Sequence, residues 1–128
     1  MKIVSFALFL IALVLTPMAF AGEIKPYSQT EFNRLVAEGK PVLLDIHADW
    51  CPTCRQQDPI VHQLMGEAAY KDVTTLTINF DTEKALLKTY NVRTQSTLIV
   101  FKGGKEVGRS VGDTSKNGIE GLLKKAAN

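Results

Sequence analysis

Two thiols are the residues of this chain with the clearest capacity for chemistry. Cys51 and Cys54 are its only 2 cysteines, and they lie within the segment Trp50-Cys51-Pro52-Thr53-Cys54. At this spacing the thiols can close on each other as a small disulfide and reopen by thiolate exchange. An apolar run with one charge in it leads into the segment, and a polar, helix-compatible run leads out of it. The pair is therefore predicted at a turn between a strand and a helix.

A purely structural role for such a disulfide is the competing interpretation. A bridge across this spacing encloses a tiny loop, so it constrains the unfolded chain little and stabilises the fold weakly. An inert structural pair would also be buried at both sulfurs, which a strand-to-helix turn disfavours. We therefore predict a redox pair. Cys51, where the helix N-terminus favours negative charge, is the nucleophile, and the less exposed Cys54 is the resolving thiol.

Asp45 lies in the middle of the apolar strand, six residues before Cys51. Burial without a cation should raise the pKa of its carboxyl, which makes it the predicted proton acceptor for Cys54. The alternative is an acid at a strand edge that reaches water. His47 and His62 are interpreted as a strand residue and a surface residue of the following helix rather than as bases or metal ligands.

The first residues have the pattern of an export signal. Lys2 precedes an apolar run, which ends at Thr16-Pro17 and is followed by the small-x-small site Ala19-Phe20-Ala21. We predict a signal peptide over residues 1–21, a folded domain over residues 22–128, and a periplasmic or otherwise exported location. An uncleaved membrane anchor is the alternative, because the apolar stretch is just long enough to span a bilayer.

The composition fits one globular domain. The chain has 128 residues, of which 45% are hydrophobic and 22% charged, and this balance argues against disorder. Its formal net charge is +2 and it has no basic block, so nucleic acid is not a predicted partner. We expect a monomer.

The remaining pattern predicts an α/β fold, a central mixed β-sheet flanked by helices on both faces. Strands separated by helices pair in parallel, and a final hairpin adds antiparallel strands at one side. The expected helices lie between Ser28 and Gly39 and over residues 54–70, 82–90 and 116–127, and the expected strands cover residues 42–48, 73–80, 97–101 and 106–111.

The chain resembles the thioredoxin family over residues 27–126. The matching residues are Lys40-Pro41-Val42, Asp45, Ala48-Asp49-Trp50-Cys51-x-x-Cys54, Pro59, Asp81, Tyr90-Asn91-Val92-Arg93, Thr97, Phe101-Lys102-Gly103-Gly104 and Val111-Gly112. A lone C-x-x-C is shared with zinc sites, whereas these flanks are specific. The resemblance implies the thioredoxin fold and a thiol–disulfide oxidoreductase that acts on protein substrates. It implies no metal, and no cofactor beyond the Cys51–Cys54 disulfide.

The chain departs from the family pattern at three places. Pro52-Thr53 stands where thioredoxins carry Gly-Pro, Thr77 where they carry a lysine, and Ser96 where they carry a cis-proline. Without that lysine, the pKa of Asp45 should be raised further than in a lysine-bearing relative. The Gln95–Ser96 bond is either a strained cis peptide or part of a rearranged trans loop. The substrate groove should gain a hydroxyl and a backbone donor from Ser96.

The predicted function is an exported disulfide oxidoreductase, favoured as a reductase. Its predicted substrate-contacting residues are Trp50, Pro52, Thr53, Gln95 and Ser96. A reductase in an oxidising compartment needs a membrane electron donor, and an oxidase needs an acceptor. Two alternatives remain open. One is a thioredoxin-like module that holds a partner in the groove at Ser96, and the other is a variant that binds a metal or an iron–sulfur cluster through the cysteines.

Overall fold

A five-stranded mixed sheet is the frame that positions the two cysteines. The computed structural model describes Leu15 and residues 21–127. The predicted signal peptide therefore lies outside the described residues, apart from Leu15 and Ala21. The elements in chain order are β1 (Glu23–Pro26), α1 (Gln29–Ala37), β2 (Val42–His47), α2 (Pro52–Met65), a 3-10 turn (Ala68–Tyr70), β3 (Thr74–Asn79), α3 (Lys84–Thr89), β4 (Thr97–Lys102), β5 (Lys105–Val111) and α4 (Lys116–Ala127).

Strand β2 is the centre of this sheet. The strand order is β1-β3-β2-β4-β5, in which β3 pairs in parallel with β1 and β2, and β4 pairs antiparallel with β2 and β5. Every residue of β2 except His47 is buried. A run of buried apolar residues is typical of a strand that is covered on both faces. The chain leaves this strand directly into the dithiol segment.

Helices cover both faces of the sheet, as the sequence predicts. Alternate residues of a strand point to opposite faces, so Leu43 and Leu44 of β2 enter different cores. One core joins the sheet to α2 and α4 through Leu43, Val61, Leu64, Leu98 and Leu123. The other joins it to α1 and α3 through Leu35, Leu44, Ile46, Leu87 and Ile99.

The predicted order of helices and strands is confirmed, with two additions. Strand β1 was not predicted, because its four residues are only half-buried or exposed and show no apolar run. The helix predicted to continue to residue 70 was wrong in its last part, since α2 ends at Met65 with Gly66 as its C-cap. The chain then forms the separate 3-10 turn Ala68–Tyr70.

The start of the sheet packs closely around Gly22, the residue before β1. Its N–H donates to the carbonyl oxygen of Met65 at 2.7 Å. A Cβ at this position would lie 2.7 Å from the carbonyl oxygens of both Tyr70 and Val73. Only a residue without a side chain fits there.

Within the described part of the chain, none of the helices has the length and apolar character needed to cross a bilayer.

Two glycines near α4 should respond oppositely to substitution by alanine. A Cβ at Gly108 of β5 would lie 2.8 Å from Cδ1 of Leu122, whereas a Cβ at Gly121 of α4 would meet open space. We expect Gly108→Ala to lower the free energy of unfolding by about 1–3 kcal/mol through overpacking. Gly121→Ala should raise it by about 0.5–1 kcal/mol, since glycine is a poor helix former. Denaturant unfolding of both variants measures this, and equal effects would contradict the packing of α4 on β5.

Candidate active site

The dithiol sits where β2 passes into α2. Cys51 is the N-cap of α2, and its Sγ accepts a hydrogen bond from the backbone N–H of Cys54 at 3.1 Å. Pro52 begins the helix, where its missing N–H leaves no hydrogen bond unmade. Cys51 and Cys54 form a disulfide, with their Cα atoms 5.3 Å apart. The predicted strand, turn and helix start are confirmed.

The exposure expected for the two cysteines was wrong. Cys51 has 0% of its surface exposed and Cys54 has 3%, so the predicted nucleophile is the more buried of the two. The reason is that the turn is not open: Ala48 and Phe80 pack against the disulfide, and Ser96 lies on it. Burial alone would suit a structural disulfide, so the redox assignment needs independent support.

Ser96 contacts both sulfurs. Its Oγ lies 3.1 Å from Sγ of Cys51 and 3.1 Å from Sγ of Cys54, and only 2% of the residue is exposed. The Gln95–Ser96 peptide is trans, with Ser96 in the left-handed region at φ 61°. The rearranged trans loop, rather than the cis bond, is therefore the observed alternative.

The Ser96 backbone is fully engaged within the protein. Its N–H donates to the carbonyl oxygen of Ile46 at 2.9 Å, and its own carbonyl accepts from Gly112 N–H at 2.9 Å. The expectation that this N–H would be offered to the substrate groove was wrong. The amide is used to extend the pairing between β4 and β2, so substrate would have to find its backbone partners elsewhere.

Gln57 belongs to the site and was missed from the sequence. It lies one turn after Cys54 on α2 and is only 1% exposed. Its Nε2 donates to the carbonyl oxygens of Ser96, at 3.2 Å, and Asp113, at 2.9 Å. Its Oε1 is buried with no hydrogen-bond partner among the described residues. An amide side chain three positions after Cys54, on the face that a helix buries, was the available signal.

The other predicted substrate residues surround the dithiol at the surface. Trp50 is 53% exposed, and its Nε1 donates to Oδ2 of Asp81 at 2.9 Å. Pro52 is exposed, while Thr53 and Gln95 are half-buried. These residues can meet a protein chain that approaches the dithiol, and their role as substrate contacts stays a prediction.

Asp45 is buried on the central strand, with 5% of its surface exposed. It shares a face of β2 with Leu43, which packs against α2. In the parallel pairing of β2 with β3, Asp45 lies next to Thr77 of β3. Burial raises the pKa of the Asp45 carboxyl from an ordinary 3.8 to about 6, and the charge of Asp58 adds to this rise, while His47 and His62 oppose it. The alternative of an edge acid is excluded, because β2 lies inside the sheet.

A cavity of about 240 Å³ connects this acid with the histidines. Asp58 and His62 follow Cys54 at intervals of four residues, which places all three along one side of α2. His62 is exposed and His47 is half-buried, in agreement with their interpretation as surface and strand residues. The cavity is lined by Ile24, Asp45, His47, Asp58, Val61, His62 and Thr77. Among the described residues, no three or more His, Cys, Asp and Glu side chains are grouped so that they could hold a metal ion.

Comparison with known proteins decides the family. The family model described as Thioredoxin matches residues 23–125. The chain belongs to the thioredoxin family. A thioredoxin of Chlamydia pneumoniae is 38% identical over 104 residues, which cover 81% of this chain and 99% of that protein.

Solved thioredoxin structures agree with this assignment. The crystal structure of Trxlp from Edwardsiella tarda is 42% identical, with a TM-score of 0.77, and the match covers 79% of this chain and 98% of that one. A mutant thioredoxin from Halobacterium salinarum is 27% identical with a TM-score of 0.72, and the match covers 88% and 96% of the two chains. The predicted thioredoxin fold is confirmed.

The chain is thus a thiol–disulfide oxidoreductase with a Cys51-x-x-Cys54 pair. Thioredoxins act on protein thiols and disulfides. In the exchange, one thiolate attacks a substrate disulfide to give a mixed disulfide, and the second thiol then displaces the substrate. Two electrons pass from the dithiol to the substrate, or in the reverse direction. The assignment of Cys51 as attacking thiol and Cys54 as resolving thiol stays a prediction, as does the comparison of Asp45 with a lysine-bearing relative.

Asp45 should make the protein less stable as the pH rises. Because its folded pKa of about 6 exceeds the ordinary value of 3.8, the folded state holds a proton that the unfolded state releases between these values. The free energy of unfolding therefore falls through this window, by on the order of 3 kcal/mol, and the loss is complete above it. We expect Asp45→Asn to be more stable than the wild type at pH 7 by up to that amount.

Denaturant unfolding at several pH values measures this effect. The matched control is Asp72→Asn, which removes an exposed carboxyl and should keep the pH dependence of the wild type. If Asp45→Asn and the wild type unfold with the same pH dependence, Asp45 does not carry a raised pKa.

Proposed function

We propose that this thioredoxin-family protein is an exported protein-disulfide reductase. Residues 1–21 act as a cleaved signal peptide, and residues 22–128 form the mature domain, which acts as a monomer on protein disulfides. Because an oxidising compartment returns the dithiol to its disulfide, the protein receives its electrons from a membrane donor.

The observation that carries the proposed exchange chemistry is the buried carboxyl of Asp45. It faces α2, the helix that holds Cys54, and its pKa of about 6 keeps it available to accept a proton near neutral pH. Reduction of a substrate requires Cys54 to lose its proton before it attacks the mixed disulfide, and Asp45 is the proposed acceptor. In the reverse step the same carboxyl returns the proton, so Asp45 supports the exchange in both directions. The reductase direction is supported by the relatives named thioredoxin.

The reduction potential tests the direction. We expect equilibration with glutathione buffers to give a value near the roughly −270 mV of thioredoxin, whereas a value near the roughly −120 mV of a strong oxidant would overturn the reductase proposal. The double variant Cys51→Ser with Cys54→Ser is the control, since it lacks both of the chain's 2 cysteines and should give no redox-dependent signal.

Processing at Ala21 tests export. Expression of the full chain in a Gram-negative host should yield a mature protein whose mass corresponds to a start at Gly22, recovered from the periplasmic fraction. Ala21→Leu removes the small residue before the cut and should leave the full-length chain bound to the membrane. Recovery of the wild type uncut in the membrane fraction would instead identify residues 1–20 as an anchor.

A binding module without turnover is the second candidate, and the burial of both cysteines favours it. Because 0% of the surface of Cys51 is exposed, an incoming thiolate cannot reach its Sγ in this conformation. Cys51→Ser separates the two functions, because a binding module keeps its partner while a reductase loses all reduction of protein disulfides. Pull-down and turnover measurements on the same variant give the answer.

A further inference from the structure

The hydroxyl of Ser96 is placed between the two reacting sulfurs. Both Oγ–Sγ distances are 3.1 Å, and these sulfurs are the hydrogen-bond partners found for the hydroxyl. Neither sulfur of a disulfide carries a hydrogen, so the hydroxyl is the donor to either one. It has a single hydrogen, and it can therefore serve one sulfur at a time.

We propose that Ser96 is a catalytic residue whose hydroxyl stabilises the thiolate at whichever cysteine carries the charge. In the reduced protein it donates to the thiolate of Cys51. In the mixed disulfide, where Cys51 is bonded to substrate, it turns to the thiolate of Cys54. The inference rests on the thiol–disulfide exchange of the proposed function, but it depends neither on the direction of that exchange nor on export.

Burial of the cysteines makes such a donor necessary. A thiolate is stabilised by hydrogen bonds and destabilised by loss of hydrating water. Because 0% of the surface of Cys51 is exposed, solvent cannot hydrate a thiolate there. Within the described residues, two donors reach its Sγ: the Cys54 backbone N–H at 3.1 Å and the Ser96 hydroxyl at 3.1 Å. A hydrogen bond to a charged group is about twice as strong as one between neutral groups. The proton of Ser96 therefore replaces the water that burial excludes.

The surrounding structure holds the hydroxyl in place despite backbone strain. A non-glycine residue at φ 61° is uncommon, and such strain persists where neighbouring contacts over-determine the conformation. Here the Ser96 N–H is bonded to Ile46, and its carbonyl is bonded to Gly112 and Gln57. Three hydrogen bonds from three parts of the chain thus fix the residue that touches the sulfurs.

The exchange balances without loss of the Ser96 proton. The Cys51 thiolate attacks a substrate disulfide, forming one S–S bond, breaking another and releasing one substrate thiolate. Cys54 then gives up its proton to a base, and its thiolate attacks Sγ of Cys51 and releases the second substrate thiolate. Two electrons have moved from the dithiol to the substrate, and the two released thiolates take up the two protons that the dithiol lost. Ser96 only redirects its hydrogen bond between the steps.

This assignment differs from the substrate-contacting role predicted from the sequence. Only 2% of Ser96 is exposed, and its hydroxyl is occupied by the sulfurs. A bound protein chain would therefore meet Trp50 or Pro52 at the surface, while the Ser96 hydroxyl contacts only the sulfurs.

Ser96→Ala and Ser96→Gly test the proposal through the pH profile of Cys51 alkylation in the reduced protein. Loss of a hydrogen bond to a charged group should lower the thiolate population about tenfold or more at a pH below the midpoint of the profile. The midpoint should move up by about one pH unit or more. A more basic thiolate is intrinsically the better nucleophile, so the rate should fall only about threefold at low pH and should exceed the wild-type rate at high pH.

Two controls make the result decisive. Ser96→Gly adopts φ 61° without strain, so it remains informative if Ser96→Ala fails to fold. Thr75→Val removes another buried hydroxyl, one with no hydrogen-bond partner among the described residues, and should keep the wild-type profile.

Crossing rate profiles in both Ser96 variants support the proposal. An unchanged midpoint in Ser96→Gly overturns it, as does a rate that falls equally at every pH, because that result indicates a structural lesion. If the midpoint moves but the wild type reduces no protein disulfide, the proposed reductase function fails while the role of Ser96 in stabilising the thiolate stands.

Discussion

The hydrogen bond from Ser96 N–H to the carbonyl of Ile46 is the contact on which the site depends. It extends the antiparallel pairing of β4 with β2 by one residue beyond Thr97. This is the end of β2 from which the chain continues to the cysteines. A proline at this position could make no such bond, because it has no N–H. The pairing draws the loop before β4 onto the disulfide, and the burial of both sulfurs follows from that approach.

The face of β2 that carries Asp45 is separate from the end of the strand that leads to Cys51. The acid lies on the face of β2 that packs against α2, and it lines a cavity together with the exposed His62. Trp50, an exposed aromatic side chain, lies next to Cys51 at the end of the strand. The cavity lies further along α2 than the cysteines, at Asp58, Val61 and His62.

Features that depend on local sequence were predictable, and features that depend on distant contacts were not. The apolar run of β2 and the short spacing of the cysteines are enough by themselves to indicate the strand, the turn and the disulfide. Gln57 and the sulfur contacts of Ser96 involve residues 39 to 45 positions apart in the chain, and no periodicity reports such an approach. The same contact explains why the predicted exposure of Cys51 was wrong. A helix N-terminus is accessible to solvent unless a distant loop packs on it, as the loop that carries Ser96 does here. Strand β1 was not predicted because an edge strand of four residues shows almost no hydrophobic pattern.

The fit around Gly22 bears on the order of events in the life of the chain. A signal peptidase acts on an extended, accessible segment, yet Gly22 lies against the backbone of Tyr70 and Val73, and its amide is bonded to Met65. If the chain is cut after Ala21, the new amino terminus at Gly22 packs within the folded domain and does not extend from it. Under the proposed export, the leader would be removed before the sheet is complete, so the chain would be translocated unfolded, then processed, and then folded.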